Sequence, residues 1–248
     1  MPILMAGSKT FDCDALLFDK DGTLLDLKST WLEWSRFVIE QIIKALQPDV
    51  LEPAVLEQAM GIDLAGWQID PYGALAGGTM HGVRDSLTRV LCTTGVSTSL
   101  AKEIITKAYS ESTEAMDWGA LAQTDPGLAG LLGYLRGRGF KLAVVTADNT
   151  MRAETALSAL GLTEYFDCIT GGDLAEKSKP APDLALLSTQ KLNTQPQRAL
   201  VIGDSSQDIL MAVAAGMYSV GVLSGASLRE QLELAGADVV VGSVMDLK

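Results

Sequence analysis

Histidine is nearly missing from this chain: His81 is the single one in 248 residues. The three cysteines, Cys13, Cys92 and Cys168, stand far apart. Zinc sites of the usual Cys/His kind need several such ligands at close spacing, so they are excluded. An odd, scattered cysteine count also argues against a disulfide framework. No apolar run exceeds strand length, which leaves no membrane-spanning helix to expect. Residues 1–10 show neither a basic n-region nor an apolar h-region, so no signal peptide is read there and a cytoplasmic-type protein is expected. Positive charge is scarce as well: 19 Lys and Arg stand against 31 Asp and Glu, a net charge of −12. That balance opposes non-specific binding to nucleic acid or to an anionic membrane. It would also repel phosphorylated metabolites, so any phosphate site has to be built locally from a metal ion, a lysine and oriented backbone N–H groups.

What is present is apolar material in strand-length pieces. Almost half of the chain, 48%, is hydrophobic, enough for one large core or two small ones and too much for disorder. Strands are expected at 14–18, 141–145, 167–170, 199–203, 218–222 and 239–241. Helical periods fill the intervals near 126–137, 151–160, 183–191, 206–215 and 227–235. Gly137, Gly139, Gly161 and Gly216 read as helix stops, and Pro126 as a first-turn proline behind Asp125. Such alternation implies an α/β fold, a parallel sheet covered by helices on both faces.

Residues 27–122 read differently. Thr30 and Glu33 have capping-box spacing, and Trp31, Trp34, Val38, Ile42 and Ala45 then recur on one face. Pro53 opens a short helix that Gly61 closes. Val83, Leu87, Val90 and Leu91 make another stripe, and Leu100, Ile104 and Ala108 a fourth. A block of about a hundred residues is too long for a loop, so a helical cap over 27–122 is expected between two segments of one α/β domain, 1–26 and 123–248. Ligands of open parallel sheets bind beyond the carboxyl ends of the strands. A module leaving directly after residue 21 is therefore placed to act as a lid, with 24–28 and 121–125 as hinges. Its most loop-like stretch, 66–84, contains Trp67, Tyr72, Gly77, Gly78, His81 and Arg84. There His81 reads as a surface or helix-start residue.

Polar residues gather at the strand ends. Asp19-Lys20-Asp21-Gly22-Thr23 follows the run Ala15-Leu16-Leu17-Phe18. Two acids so close at the end of a buried strand need a cation or a shared proton; the plain alternative is an acidic turn. Thr146 ends the strand over 141–145, where its hydroxyl can donate to a phosphate together with N–H groups of the helix that follows, Ala147 being the next residue. Either Thr146 or Asn149 could instead simply cap that helix. Gly203-Asp204-Ser205-Ser206-Gln207-Asp208 ends another strand, with Asp204 over the edge and Asp208 four residues on. The competing reading makes Asp204 a helix cap and Asp208 an exposed first-turn acid. If the strands are neighbours, the acids converge and suit Mg²⁺, a hard cation that accepts carboxylates and substrate phosphate. Lys179-Pro180-Ala181-Pro182 holds a lysine between rigid residues ahead of a helix. Lys177, two residues earlier, is its rival.

Asp19-Lys20-Asp21-Gly22-Thr23-Leu24, the strand ending in Thr146, Lys179-Pro180 and Gly203-Asp204 through Asp208 resemble, in order, the four motifs of the haloacid dehalogenase superfamily. The last resembles its phosphoglycolate-phosphatase-like members, with Ala214, Ala215, Gly216 and Met217 beyond. The resemblance spans residues 14 to about 222 and leaves 1–13 outside. It implies a Rossmann-like three-layer core with an inserted helical cap. It also implies a phosphatase acting on a small phosphorylated metabolite such as phosphoglycolate, as monomer or homodimer. By the same resemblance Asp19 is the nucleophile and Asp21 the general acid/base. Thr146, Ala147 and Lys179 hold the phosphate; Asp19, Asp204 and the carbonyl of Asp21 hold Mg²⁺; and Asp208 is a supporting acid. Lys20 stands where an apolar residue is frequent and is expected to contribute chiefly its backbone N–H. A sugar phosphomutase would keep all these residues. A dehalogenase would have no use for Asp21 as acid, a receiver no use for a cap, and a phosphometabolite-binding protein no need to retain both Asp19 and Asp21.

Overall fold

The computed structural model describes residues 2–46, 50–76 and 80–248. The chain forms two compact units, Met1–Leu27 with Trp118–Lys248, and Lys28–Asp117. The first is built on a parallel sheet of six strands. The chain enters through a hairpin, β1 (Ile3–Ala6) and β2 (Lys9–Asp12), before the sheet strand β3 (Ala15–Phe18). After the second unit come α5 (Trp118–Leu121), α6 (Leu128–Gly137), β6 (Lys141–Val145), α7 (Thr150–Ala159) and β7 (Cys168–Thr170). They are followed by α8 (Asp183–Lys191), β8 (Ala199–Gly203), α9 (Ser206–Ala215), β9 (Tyr218–Val222), α10 (Arg229–Leu234) and β10 (Val239–Val241).

The strand order is β10-β9-β8-β3-β6-β7, so the chain departs from β3 in one direction and later returns to its other side. That reversal is the topological switch point at which open sheets leave a crevice. Successive strand residues face opposite sides. Leu16, Phe18, Leu142, Val144, Leu200 and Ile202 pack with Leu128, Leu132 and Leu135 of α6 and with Leu157 of α7. Their neighbours Ala15, Leu17, Ala143, Val145, Ala199 and Val201 pack with Leu184 of α8 and with Met211 and Ala212 of α9. Both faces are thus covered, which explains why these strands read as unbroken apolar runs. Each fully buried Leu or Val here contributes about 1.5–3 kcal/mol over its exposed state.

Several local expectations need correction. Residues 3–12 form an antiparallel hairpin turning at Gly7, whose φ is +56°. Leu4, Ala6 and Phe11 join the core, and Met5 exchanges backbone hydrogen bonds with Lys248 at 2.8 and 2.9 Å. Pro126 lies in a turn whose Asp125 carboxylate accepts from the Gly127 N–H, and α6 starts only at Leu128. The anticipated glycine stops hold at Gly139 (φ +90°), Gly161 (+66°) and Gly216 (+69°).

The second unit contains α1 (Leu27–Ala45), α2 (Pro53–Met60), the two-residue strands β4 (Ile62–Asp63) and β5 (Gln68–Ile69), α3 (Met80–Thr93) and α4 (Thr98–Ala115). Helix α1 begins three residues before Thr30, which is buried inside it, so Thr30 is no cap. Asp26, immediately ahead of Leu27, is an equally good cap type. Gly61, left-handed at φ 74°, closes α2 as its residue type predicts. In α4 the buried stripe is Ala101, Ile104, Ile105, Ala108 and Tyr109, and Leu100 faces out. Trp34 is the largest fully buried side chain; it meets Tyr109 edge-on, and its indole N–H donates to Ser112 Oγ at 3.0 Å. His81 is exposed at the start of α3 beside Asp85, and Arg84 stacks over the Tyr109 ring at 4.5 Å. Tyr72 is exposed, whereas Gly77 and Gly78 lie outside the described residues. No helix among the described residues is long and apolar enough to cross a membrane.

Candidate active site

Register decides what meets at the sheet edge. Phe18 pairs with Val144 of β6 on one side and with Ile202 of β8 on the other. Asp19 therefore leaves the sheet beside the positions that lead into Thr146 and Asp204, and its N–H donates to Ile202 O at 2.8 Å. The neighbouring strands on which convergence depended are in place. Ligand oxygens of Asp19, Asp204 and Asp208 all lie within 4.8 Å of one another, and all three residues are buried.

Lys179 is the cation set among them. Its ammonium donates to Asp19 Oδ1 at 2.6 Å and to Asp208 Oδ1 at 2.5 Å, whereas Lys177 is exposed. Burial works against the charge of Lys179, but Asp19 and Asp208 outweigh it and hold the group above the ordinary lysine range. Burial likewise pushes the Asp19 carboxyl up to about 7; Lys179 opposes this and the charge of Asp208 adds to it. Asp204 is raised well above the usual carboxylate range, first by burial and then by Asp19 and Asp208.

Asp208 is neither exposed nor idle. Ser205 caps α9, and Asp208 closes the capping box, its Oδ2 accepting from Ser205 N–H at 3.1 Å and from Ser205 Oγ at 2.6 Å. The cap is therefore Ser205 rather than Asp204. With Oδ1 on Lys179, both Asp208 oxygens are engaged by the protein, the arrangement of a residue that orients its neighbours. Gly203 is required here because a Cβ would run into the Asp208 side chain.

Asp204 is held differently. Ala226 N–H donates to its Oδ2 at 2.8 Å and Thr23 Oγ1 to its Oδ1 at 3.3 Å. Among the described residues no ammonium or guanidinium pairs with it. Backbone crowds it closely: a Cβ on Gly225 would collide with its carboxylate, and one on Gly22 would come within 2.5 Å of Oδ2. Ser224 Oγ donates to Gly22 O at 2.7 Å, tying the loop after β9 to the loop after β3. This 224–227 loop was missed in the sequence; its signal was a Ser-Gly-Ala-Ser run at the end of a strand expected to lie in the same sheet.

Thr146 is buried, with its N–H donating to Thr170 O at 3.0 Å and its Oγ1 accepting from Asp148 N–H at 3.1 Å. The helix cap is Asn149, whose side chain accepts from Met151 N–H. The choice between Thr146 and Asn149 is thereby settled, and Thr146 is left at the strand end beside exposed Ala147.

Lys20 and Asp21 depart from expectation. Lys20 does more than present a backbone N–H: its side chain is buried and its ammonium lies 2.7 Å from both Asp21 carboxylate oxygens and 3.4 Å from Asp148 Oδ2. Burial works to lower its pKa, but Asp21 and Asp148 carry the net shift upward. The Asp21 carboxylate thus faces Lys20 and is not one of the three clustered carboxylates. Asp148, also unanticipated, accepts from Arg152 Nη2 at 2.6 Å and from Asn149 N–H at 2.8 Å.

The donor set fits a divalent metal. Three buried carboxylates gather around the ammonium of Lys179, and among the described residues Asp204 has hydrogen-bond donors but no cationic partner. Hard oxygen ligands with uncompensated negative charge are what Mg²⁺ binds.

The sequence model of the haloacid dehalogenase-like hydrolase family matches residues 13–216. The phosphoglycolate phosphatase of Escherichia coli (strain K12) is 38% identical over 122 residues, 49% of this chain and 48% of that protein. The chain spans about half the length of the curated relatives it matches. A hydrolase from Pseudomonas syringae superposes with a TM-score of 0.66 at 26% identity, covering 94% of this chain and 95% of that one. The β-phosphoglucomutase of Clostridium difficile does so with 0.58 at 23% identity over 93% and 91%, a likeness of fold alone.

Proposed function

The chain belongs to the haloacid dehalogenase-like hydrolases, and we propose that it is a Mg²⁺-dependent phosphatase that cleaves a small monoester of the phosphoglycolate kind through an aspartyl-phosphate on Asp19. The observation that carries this reading is Asp19 at the switch point of the sheet, 2.6 Å from buried Lys179 and clustered with Asp204 and Asp208. The substrate class rests on the phosphatase to which half of the chain is similar.

Asp19 attacks phosphorus as the P–O ester bond breaks, and Asp21 gives its proton to the leaving oxygen. Asp21 then takes a proton from water, which attacks phosphorus and breaks the bond to Asp19, restoring both residues. Lys179 balances charge on the nucleophile and on the transferring group, while Thr146 and the N–H of Ala147 hold phosphate oxygens. Asp19, Asp204 and the backbone carbonyl of Asp21 would hold Mg²⁺, which when bound offsets charge on the transferring phosphoryl group. Asp208 keeps Lys179 and the start of α9 in place. None of these groups reads anything beyond the phosphate.

The test is hydrolysis of an aryl phosphate with Mg²⁺. Turnover that EDTA abolishes and Mg²⁺ restores is expected; turnover indifferent to EDTA would overturn the metal assignment. Release of inorganic phosphate separates hydrolysis from a mutase reaction, which would return a rearranged sugar phosphate.

A further inference from the structure

Asp21 emerges from β3 onto a tight turn, next to Gly22 at φ +87°, and is only partly buried. Its carboxylate has one side-chain partner among the described residues, the ammonium of Lys20, equidistant at 2.7 Å from both oxygens. An ammonium shared in this way fixes the carboxylate plane as well as its position. Lys20 is itself anchored: 2% exposed, it reaches Asp148 Oδ2 at 3.4 Å. Asp148 is anchored in turn by Arg152 at 2.6 Å, and the Arg152 guanidinium lies over the Trp118 ring at 4.9 Å. A chain of alternating charge, buried at Lys20 and Asp148, thus runs from the start of α7 to the acid at the end of β3. Neither Lys20 nor Asp148 was needed by the mechanism above.

We propose that Lys20, braced by Asp148 and Arg152, is a positioning residue that holds the Asp21 carboxylate in the orientation required for proton transfer. The proposal rests on the acid/base reading of Asp21. Lys20 acts through Asp21: its ammonium pairs with Asp21 and Asp148 rather than with the clustered Asp19, Asp204 and Asp208. An acid free to rotate spends little time within reach of the leaving oxygen, and misplacement by about 1 Å can cost on the order of 100-fold in rate.

The experiment is a double-mutant cycle on aryl phosphate hydrolysis with Lys20→Met, which keeps length and removes charge, and Asp21→Asn, each checked for folding by thermal melting. Lys20→Met should lower kcat by about 10- to 100-fold with KM nearly unchanged. Its cost should vanish to within about twofold in the Asp21→Asn background, because interacting residues are non-additive. Inhibition by inorganic phosphate, which does not involve proton transfer, should stay the same. A Lys20→Met loss that persists in the Asp21→Asn background, or weaker phosphate inhibition, would show that Lys20 acts on the phosphate and overturn the proposal. Wild-type kcat in a folded Lys20→Met protein would overturn it too. Wild-type kcat in Asp21→Asn alone would remove the acid/base reading itself, a result visible in its own arm, and this proposal with it. Should Lys20→Met fail to fold, Asp148→Asn carries the same cycle: a smaller kcat loss absent in the Asp21→Asn background supports the proposal, and an additive or absent loss refutes it.

Discussion

The two units bury different things. Among the described residues of the helical unit, the buried polar ones are hydroxyls, Ser29, Thr30, Ser35 and Ser112. Ser35 returns its proton to Trp31 O and Ser112 to Tyr109 O, so these groups are satisfied within their own helices. The α/β unit instead buries Asp19, Lys20, Asp148, Lys179, Asp204 and Asp208. Some of their partners lie far away in sequence: Lys179 is 160 residues from Asp19 and 29 from Asp208. Burying a charge costs several kcal/mol unless it is paired, and a paired buried charge is seldom better for stability than a well-packed apolar group. Clustered buried charge at a sheet edge therefore marks where chemistry, rather than stability, sets the residue choice. The helical unit shows what the same chain does where only packing is at stake.

Breaking the charged cluster one residue at a time should expose opposite signs. Asp204→Ala should raise the Mg²⁺ needed for half-maximal activity beyond the shift caused by Asp208→Ala, which as an outer residue is expected to cost about 10- to 100-fold in metal affinity. Stability in the absence of metal should run the other way. Because the fold raises the Asp204 pKa, its charged form is disfavoured in the folded state, so Asp204→Asn should raise the metal-free melting temperature. Asp208→Asn should lower it, because the α9 cap and the pairing of buried Lys179 are both weakened. The same linkage sets a pH dependence. With the Asp19 and Asp204 carboxyls raised from 3.8, Asp19 to about 7, the metal-free folded state binds more protons than the unfolded chain between those values. Their contribution to metal-free stability thus increases as pH falls from about 8 towards 5. Thermal melts with EDTA across that range check the sign, and equal Mg²⁺ titrations for Asp204→Ala and wild type would refute the ligand assignment.

A smaller effect is expected in the other unit. Ser112→Ala leaves the buried Trp34 indole N–H without its 3.0 Å acceptor and should cost about 1–3 kcal/mol of stability. Aryl phosphate turnover below the melting range should be unchanged. A large loss of turnover in a folded Ser112→Ala protein would mean that the division between packing and chemistry is drawn in the wrong place.

The sheet was legible because its strands, buried on both faces, are uninterrupted apolar runs that end abruptly in Asp19, Thr146 and Asp204. The same property hid the β1–β2 hairpin. Ile3-Leu4-Met5-Ala6 is apolar throughout although Ile3 and Met5 are half exposed, so no alternation announces a strand. Lys179 could be ranked above Lys177 by its prolines, but only the structure shows it between two carboxylates. The inward turn of Lys20 could not be read locally, because it depends on Asp148, which β6 delivers from 128 residues further along. Asp208 was seen as an acid near the site, whereas its closing of the α9 cap required knowing where α9 begins. Sequence periodicity locates elements and the polar residues that end them. Which of those residues pair is a property of register.

The buried cluster, read as a phosphoryl-transfer centre, stands or falls with Asp19 as its nucleophile. The most direct measurement is acid quench of the enzyme during turnover of a phosphate ester labelled in its phosphoryl group, followed by peptide mapping, with Asp19→Asn as control. An acid-stable, hydroxylamine-sensitive label is expected on the peptide containing Asp19. Loss of both label and activity, on the order of 10⁴-fold, is expected in the folded variant. Near-wild-type turnover by Asp19→Asn, or a label mapped to any other residue, would contradict it.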